Sequence, residues 1–369
     1  MTVPDPTPSP PGGYGIVDAQ GTMHPATRDE LIAACRAGPI PRLVWTPESG
    51  GPVPPEEVPF LLEAIRGRIG GGAKTQAIIV GVFASVLAVQ NLDSIRPGSP
   101  GAVYLLFGVI WVAMRLREWR QASVMTPQGF RDMMREAEQS AAMRRVPVVY
   151  LRLLAGMIAA VGAAQLLASG SGIPIYGITP AAMVPEYIRA GETWRLLTAG
   201  YLHGNIIHFA VNFMALLSLG RETEVLGHRA YLSLVFLAAV LGGSLASFIV
   251  PPDGMSVGSS GGLMGLIGFL GVLAYRRRET VPPGFLKMVL LNVAVIAGIG
   301  IVGMGLIDNA AHAGGLAVGA LLGALFVPTT RAHPQWVTGR AVQAAGIAAT
   351  IVLALGCAWT LFLVLLPVF

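Results

Sequence analysis

Residues 254–275 read Gly-Met-Ser-Val-Gly-Ser-Ser-Gly-Gly-Leu-Met-Gly-Leu-Ile-Gly-Phe-Leu-Gly-Val-Leu-Ala-Tyr, uncharged between Asp253 and Arg276. A helix needs about 17 to 25 mostly apolar residues to cross the hydrocarbon core of a bilayer, and this stretch supplies them. Working outward, eight further charge-free windows have similar reach: Gln76–Leu92, Pro97–Met114, Leu153–Pro185, Leu196–Gly220, Ala230–Pro252, Met288–Ile307, Asn309–Thr330 and Ala341 to the C-terminus. Membrane strands would alternate in segments of about ten residues, so the windows read as helices. Composition agrees, with 53% hydrophobic and 12% charged residues against about 25% charged in soluble domains. The expected fold is all-α, a polytopic membrane helical bundle of nine spans.

The basic residues sort by connection. Arg66, Arg68 and Lys74 precede the first window, seven arginines from Arg115 to Arg145 follow the second, and Arg221 with Arg229, Arg276 to Lys287, and Arg331 with Arg340 mark three later turns. The alternate connections hold few: Arg96, Arg189 and Arg195. All basic turns fall on one side, which the positive-inside rule places in the cytoplasm. Residues 1–12 are proline-rich without a basic n-region, so no secretory signal is expected there and the N-terminus is expected to be cytoplasmic. The expected setting is an integral, multi-pass protein of a bacterial inner (plasma) membrane. The formal charge of +5 resides in these turns; it argues for anionic lipid as a contact and gives no argument for nucleic acid. Cys35 and Cys357 lie in different regions, so no disulfide framework is expected.

Along the chain, residues 1–12 read as a disordered tail and 13–72 as a small cytoplasmic module. Thr27 and Glu30 form a capping box before Leu31-Ile-Ala-Ala34, with Gly38 as the stop. Arg42–Thr46 reads as a strand and Pro54–Ile65 as a second short helix. The order of Tyr14–Asp18, this helix and Leu43-Val-Trp45 resembles the GYF-like modules fused to bacterial membrane proteins; a generic regulatory or stabilising appendage is the alternative. Residues 73–117 hold two extra transmembrane helices, and 118–146 form a basic linker or an interfacial amphipathic helix.

Hydrogen-bonding side chains inside a membrane span are expensive, so each is a functional candidate. They are His203, His208, Asn212, Asn292, Ser259, Ser260, Asp308, Asn309 and His312. Ser260 opens its span, where backbone N–H groups without intrahelical partners can stabilise an oxyanion. Gly258-x-Ser260-x-Gly262 also satisfies the α/β-hydrolase nucleophile elbow, but Pro251-Pro-Asp-Gly254 cannot be the buried strand that elbow requires. On its own, a Gly/Ser pair at a helix end equally suits helix packing. His312 adds the missing base: Gly315, Gly319 and Gly323 share its helical face, and Gly261, Gly265 and Gly268 form a matching stripe below Ser260. Two helices meeting on these faces would bring imidazole to hydroxyl, the geometry of an activated serine. His208 and Asn212 share a face and suit an oxyanion hole, with interhelical hydrogen bonding as the competing role; His203 is expected further out, on a different face, and to matter least of the three. Asp308 is expected to cap its helix rather than complete a triad.

Taken together, these residues resemble the rhomboid intramembrane serine proteases. The likeness covers residues 147–330, the six-helix protease core, and leaves 331–369 as a loop and an additional C-terminal transmembrane helix. Trp194-Arg195 is similar to the family's Trp-Arg pair in the first outer loop, His203-x4-His208-x3-Asn212 to its second-helix motif, Gly258-Ser-Ser260-Gly261 to its G-x-S-G, and His312-x2-Gly315-x3-Gly319 to its sixth-helix motif. The resemblance implies a Ser260–His312 dyad without an acid, with the Ser260 N–H, His208 and Asn212 holding the oxyanion. It further implies cleavage of transmembrane-helix substrates near the outer face, with no cofactor and no metal. Met264 departs from the family, which has an aromatic ring there against the histidine. A catalytically silent rhomboid-like binder or chaperone is the alternative, opposed by the presence of both Ser260 and His312. A transporter is a more distant reading, because no discontinuous-helix repeat is seen.

Overall fold

A computed structural model describes residues 13–18, 20–90, 99–144, 146–168, 180–250, 255–329 and 339–366. The tail 1–12 and residues 251–254 lie outside these. The chain falls into two compact units, Met1–Arg96 with Pro100–Ala141, and Pro97–Ser99 with Ala142–Phe369.

In the first unit, strands β1 (Tyr14–Val17), β2 (Met23–Ala26) and β3 (Leu43–Trp45) form an antiparallel sheet in the order β2-β1-β3. Helix α1 (Arg28–Ala37) packs Leu31 and Cys35 into its core. Both halves of the capping box form: Glu30 N–H donates to Thr27 Oγ1, and Thr27 N–H donates to the Glu30 carboxylate. That carboxylate is held below its ordinary pKa by the Thr27 N–H and the Thr27 hydroxyl that donate to it. The short helix expected at Pro54–Ile65 is instead the start of α2, which runs Pro59–Gln90. The 72–73 boundary therefore falls inside a helix. Gly70-Gly-Gly72 does not interrupt it, because Gly70 is where α3 (Pro100–Ser123) comes close: a Cβ at Gly70 would sit 3.2 Å from the Trp119 ring. Helix α4 (Pro127–Arg144) follows and buries Phe130 in the module core, with Arg131 ion-paired to Glu57.

The second unit holds α5 (Val149–Ala168), the short α6 (Pro185–Arg189) and α7 (Arg195–Thr198), α8 (Ile206–Glu222), α9 (Arg229–Ile249), α10 (Ser260–Arg276), α11 (Phe285–Val302), α12 (Asn309–Phe326) and α13 (Arg340–Leu365). Among the described residues, α5, α9, α11, α12 and α13 are each long and apolar enough to cross a membrane. A sixth span is available if the segments Arg195–Tyr201 and Ile206–Gly227, bent by 93°, count as one; α10 is a shorter apolar helix. The windows before residue 115 fall on α2 and α3, where part of the side chains lie outside the description.

Helix α10 is the axis of this unit and is buried along most of its length. Its glycines explain how neighbours approach so closely. A Cβ at Gly315 would lie 2.0 Å from the Gly261 carbonyl oxygen, and one at Gly319 1.9 Å from that of Gly265. On the other side a Cβ at Gly265 would meet the Ala239 methyl of α9 at 2.1 Å, and one at Gly262 the Phe236 ring at 2.6 Å. The two glycine stripes read from the sequence are thus the α10–α12 contact, with backbone against backbone.

Candidate functional site

Ser260 is the first residue of α10. Gly258, with φ +137°, turns the chain into it, a conformation that favours glycine. Gly258 N–H donates to the Ala199 carbonyl, and Ser256 pairs with Met183, so the segment leading to the serine is pinned to the stretch 183–199. From α12, His312 Nε2 lies 2.8 Å from Ser260 Oγ. The glycine seam sets this distance, because the helices carrying the two groups touch through bare backbone. His312 Nδ1 is buried with no hydrogen-bond partner among the described residues.

Asp308 is bonded elsewhere. One carboxylate oxygen accepts from the Ala311 N–H at 2.9 Å, and the other from the Ser247 hydroxyl. It caps α12 as expected. Asn309 ties the start of α12 to α11 by donating to the Gly300 carbonyl at 3.0 Å.

His208 lies on the opposite flank. Its own N–H is fixed by Asn205, the cap of α8, and a Cβ built on Gly258 would stand 3.1 Å from His208 Nε2 and 3.6 Å from Ser260 Oγ. Imidazole and hydroxyl therefore face each other across Gly258, with no side chain between. Asn212 is buried, and its Nδ2 donates to the His208 carbonyl at 2.8 Å, one turn back on the same helix. One amide hydrogen remains for another acceptor.

His203 departs from expectation. It lies before α8 rather than on it and is fully buried, its ring edge-on to His208 at 5.2 Å and its Nε2 3.3 Å from Ser259 Oγ. Spacing misled because residues 203 and 208 are not on one helix: the bend before α8 folds His203 back toward α10. Sequence reasoning also missed Gln165 of α5, whose amide brackets the His203 backbone by accepting from its N–H and donating to its carbonyl, both at 3.1 Å. A buried glutamine in an apolar helix was the available signal.

Arg195 is buried and braces the loop before α7, bonding Glu192 at 2.7 Å and the Ala182 carbonyl at 2.8 Å. Trp194 is partly exposed, edge-on to Trp359 of α13 at 6.2 Å. Met264 is buried in the main core.

The fold and the site define a class: a multi-pass helical membrane protein with a serine and a histidine joined between two apolar helices. The family model of the Rhomboid domain matches residues 190–329. It is 33% identical over 163 residues to RHOMBOID-like protein 4 of Arabidopsis thaliana, covering 42% of this chain and 39% of that one. To Rhomboid protease GluP of Bacillus subtilis it is 40% identical over 133 residues, 35% of this chain and 25% of the relative. To Rhomboid-like protease 1 of Toxoplasma gondii it is 30% identical over 173 residues, 45% and 58% of the two chains. The chain thus spans well under two thirds of the length of the relatives it matches.

Proposed function

We propose that this protein is an intramembrane serine endopeptidase that cleaves transmembrane helices of other membrane proteins. The observation that carries it is the 2.8 Å approach of His312 Nε2 to Ser260 Oγ between two membrane helices. In this reading His312 takes the proton as Ser260 Oγ attacks the scissile carbonyl, then returns it to the leaving amine. The oxyanion is met by the Ser260 N–H at the open end of α10, with His208 and Asn212 as further donors. Among the described residues no acid is hydrogen-bonded to His312, and in this reading the helix seam orients it. Rhomboid protease GluP, a relative of known name, supports peptide hydrolysis as the reaction.

The proposed orientation follows the basic turns, with the N-terminus cytoplasmic and Ser260 opening to the outer face. Small or helix-weakening residues in the substrate would let it unwind there. The decisive experiment is cleavage of a reporter transmembrane helix in liposomes by the wild-type and Ser260→Ala proteins, with fluorophosphonate labelling alongside. Normal cleavage by Ser260→Ala would remove the mechanism.

A further inference from the structure

Ser259 stands at the N-cap of α10, yet its hydroxyl makes no capping bond. A serine in this place ordinarily adopts an extended backbone and turns its oxygen onto the second or third amide of the helix. Here the backbone is helical (φ −72°, ψ −3°), and the hydroxyl lies 3.3 Å from His203 Nε2. Both residues are completely buried. The imidazole is itself held firmly. Gln165 brackets its backbone, and the rings of His208 and Phe209 stand edge-on to it at 5.2 and 5.3 Å.

The consequence falls on the first turn of α10. The first backbone bond of the helix runs from the Leu263 N–H to the Ser259 carbonyl. The amides of Ser260, Gly261 and Gly262 therefore have no acceptor within the helix, and together they present positive potential beside Ser260 Oγ. A capping hydroxyl would turn its negative oxygen onto Gly261 or Gly262 and offset that potential where an oxyanion must form. Released from His203, a buried hydroxyl has strong reason to do this, because buried polar groups seek partners and serine readily bonds local backbone amides.

We propose that His203 is a positioning residue that holds the Ser259 hydroxyl away from the N-terminus of α10, keeping the first-turn amides open for the oxyanion formed at Ser260. The proposal rests on the serine-protease reading and adds to it a pair outside the dyad.

The test is a two-residue cycle with reporter cleavage in liposomes. His203→Ala should lower kcat about tenfold to a hundredfold with KM little changed, less than the loss of a whole oxyanion donor. Ser259→Ala alone should cost about threefold at most, since no cap is lost. On the His203→Ala background, Ser259→Ala should restore turnover to within about threefold of Ser259→Ala alone, because the interfering oxygen is gone. A packing role for His203 gives no such rescue. His203→Phe, which fills the same space without the bond, serves where the alanine variant lowers thermal stability. An unrescued double variant, undiminished turnover in both His203 variants, or failure of both to fold would each overturn the proposal. An inert wild-type protein would instead overturn the protease reading, whereas an active one without rescue removes only the role of His203.

Discussion

Ser259 and Ser260 are adjacent, and each meets a histidine, but the two pairs sit in different surroundings. Ser260 is half-buried and faces His312 across the glycine seam. Ser259 is sealed from solvent and faces His203 within packed aromatic rings. Serine beside histidine is therefore not sufficient for a nucleophile. In the proposed mechanism attack also needs room for a scissile carbonyl and donors for the charge that develops on it, and of the two serines Ser260 is the one that faces the ring of His208 across the bare backbone of Gly258.

Breaking the half-buried pair should give the largest effect. Ser260→Ala and His312→Ala should each lower turnover of a reporter helix by on the order of 10⁴-fold or more, with expression and thermal stability retained. Comparable losses from Ser259→Ala would abolish the distinction between the pairs. The donors come next. His208→Ala and Asn212→Ala should depress turnover about a hundredfold to a thousandfold while hardly changing the affinity for an uncleaved helix. Equal losses in binding and turnover, measured with the Ser260→Ala protein as binder, would make them structural hydrogen bonders.

The seam itself can be loosened. In Gly319→Ala the new methyl would stand 1.9 Å from the Gly265 carbonyl oxygen, so the helices must separate. Overpacking of this kind costs about 1 to 3 kcal/mol. A lower melting temperature in detergent, with turnover reduced at least about tenfold by the displaced imidazole, is expected. The Ser259–His203 pair does not span this seam, so unchanged turnover would show that the seam does not set the dyad distance. The smallest effect should come from Asp308→Asn, which keeps a good cap for α12 and should stay within a few-fold of wild type. A loss of about 10⁴-fold, as for a triad aspartate, would place Asp308 in the catalytic set.

Much of the site was legible because its signals are local. The glycine stripes, the serine at a helix start and the capping aspartate depend on spacing along one helix, and spacing is what a sequence displays. His203 and Gln165 were misjudged or missed because their roles depend on a bend and on a bond between α5 and the loop before α8. The module shows the same division. Thr27 and Glu30 announced their capping box, whereas the short helix expected at Pro54–Ile65 runs on to Gln90, with Gly70 admitting Trp119.

By itself, the sequence determined that the chain is a helical membrane protein, which residues are costly to bury, and which faces of α10 and α12 are smooth. Charge, hydropathy and helical periodicity are properties of single segments, so they need no partner to be read. Only the tertiary structure decided which buried histidine met which serine, that the Asn212 amide bonds the His208 carbonyl, and that the Ser259 hydroxyl leaves its helix end uncapped. Those outcomes depend on distances between segments far apart in the chain, and ångström-scale approach is set by packing, which no single segment encodes.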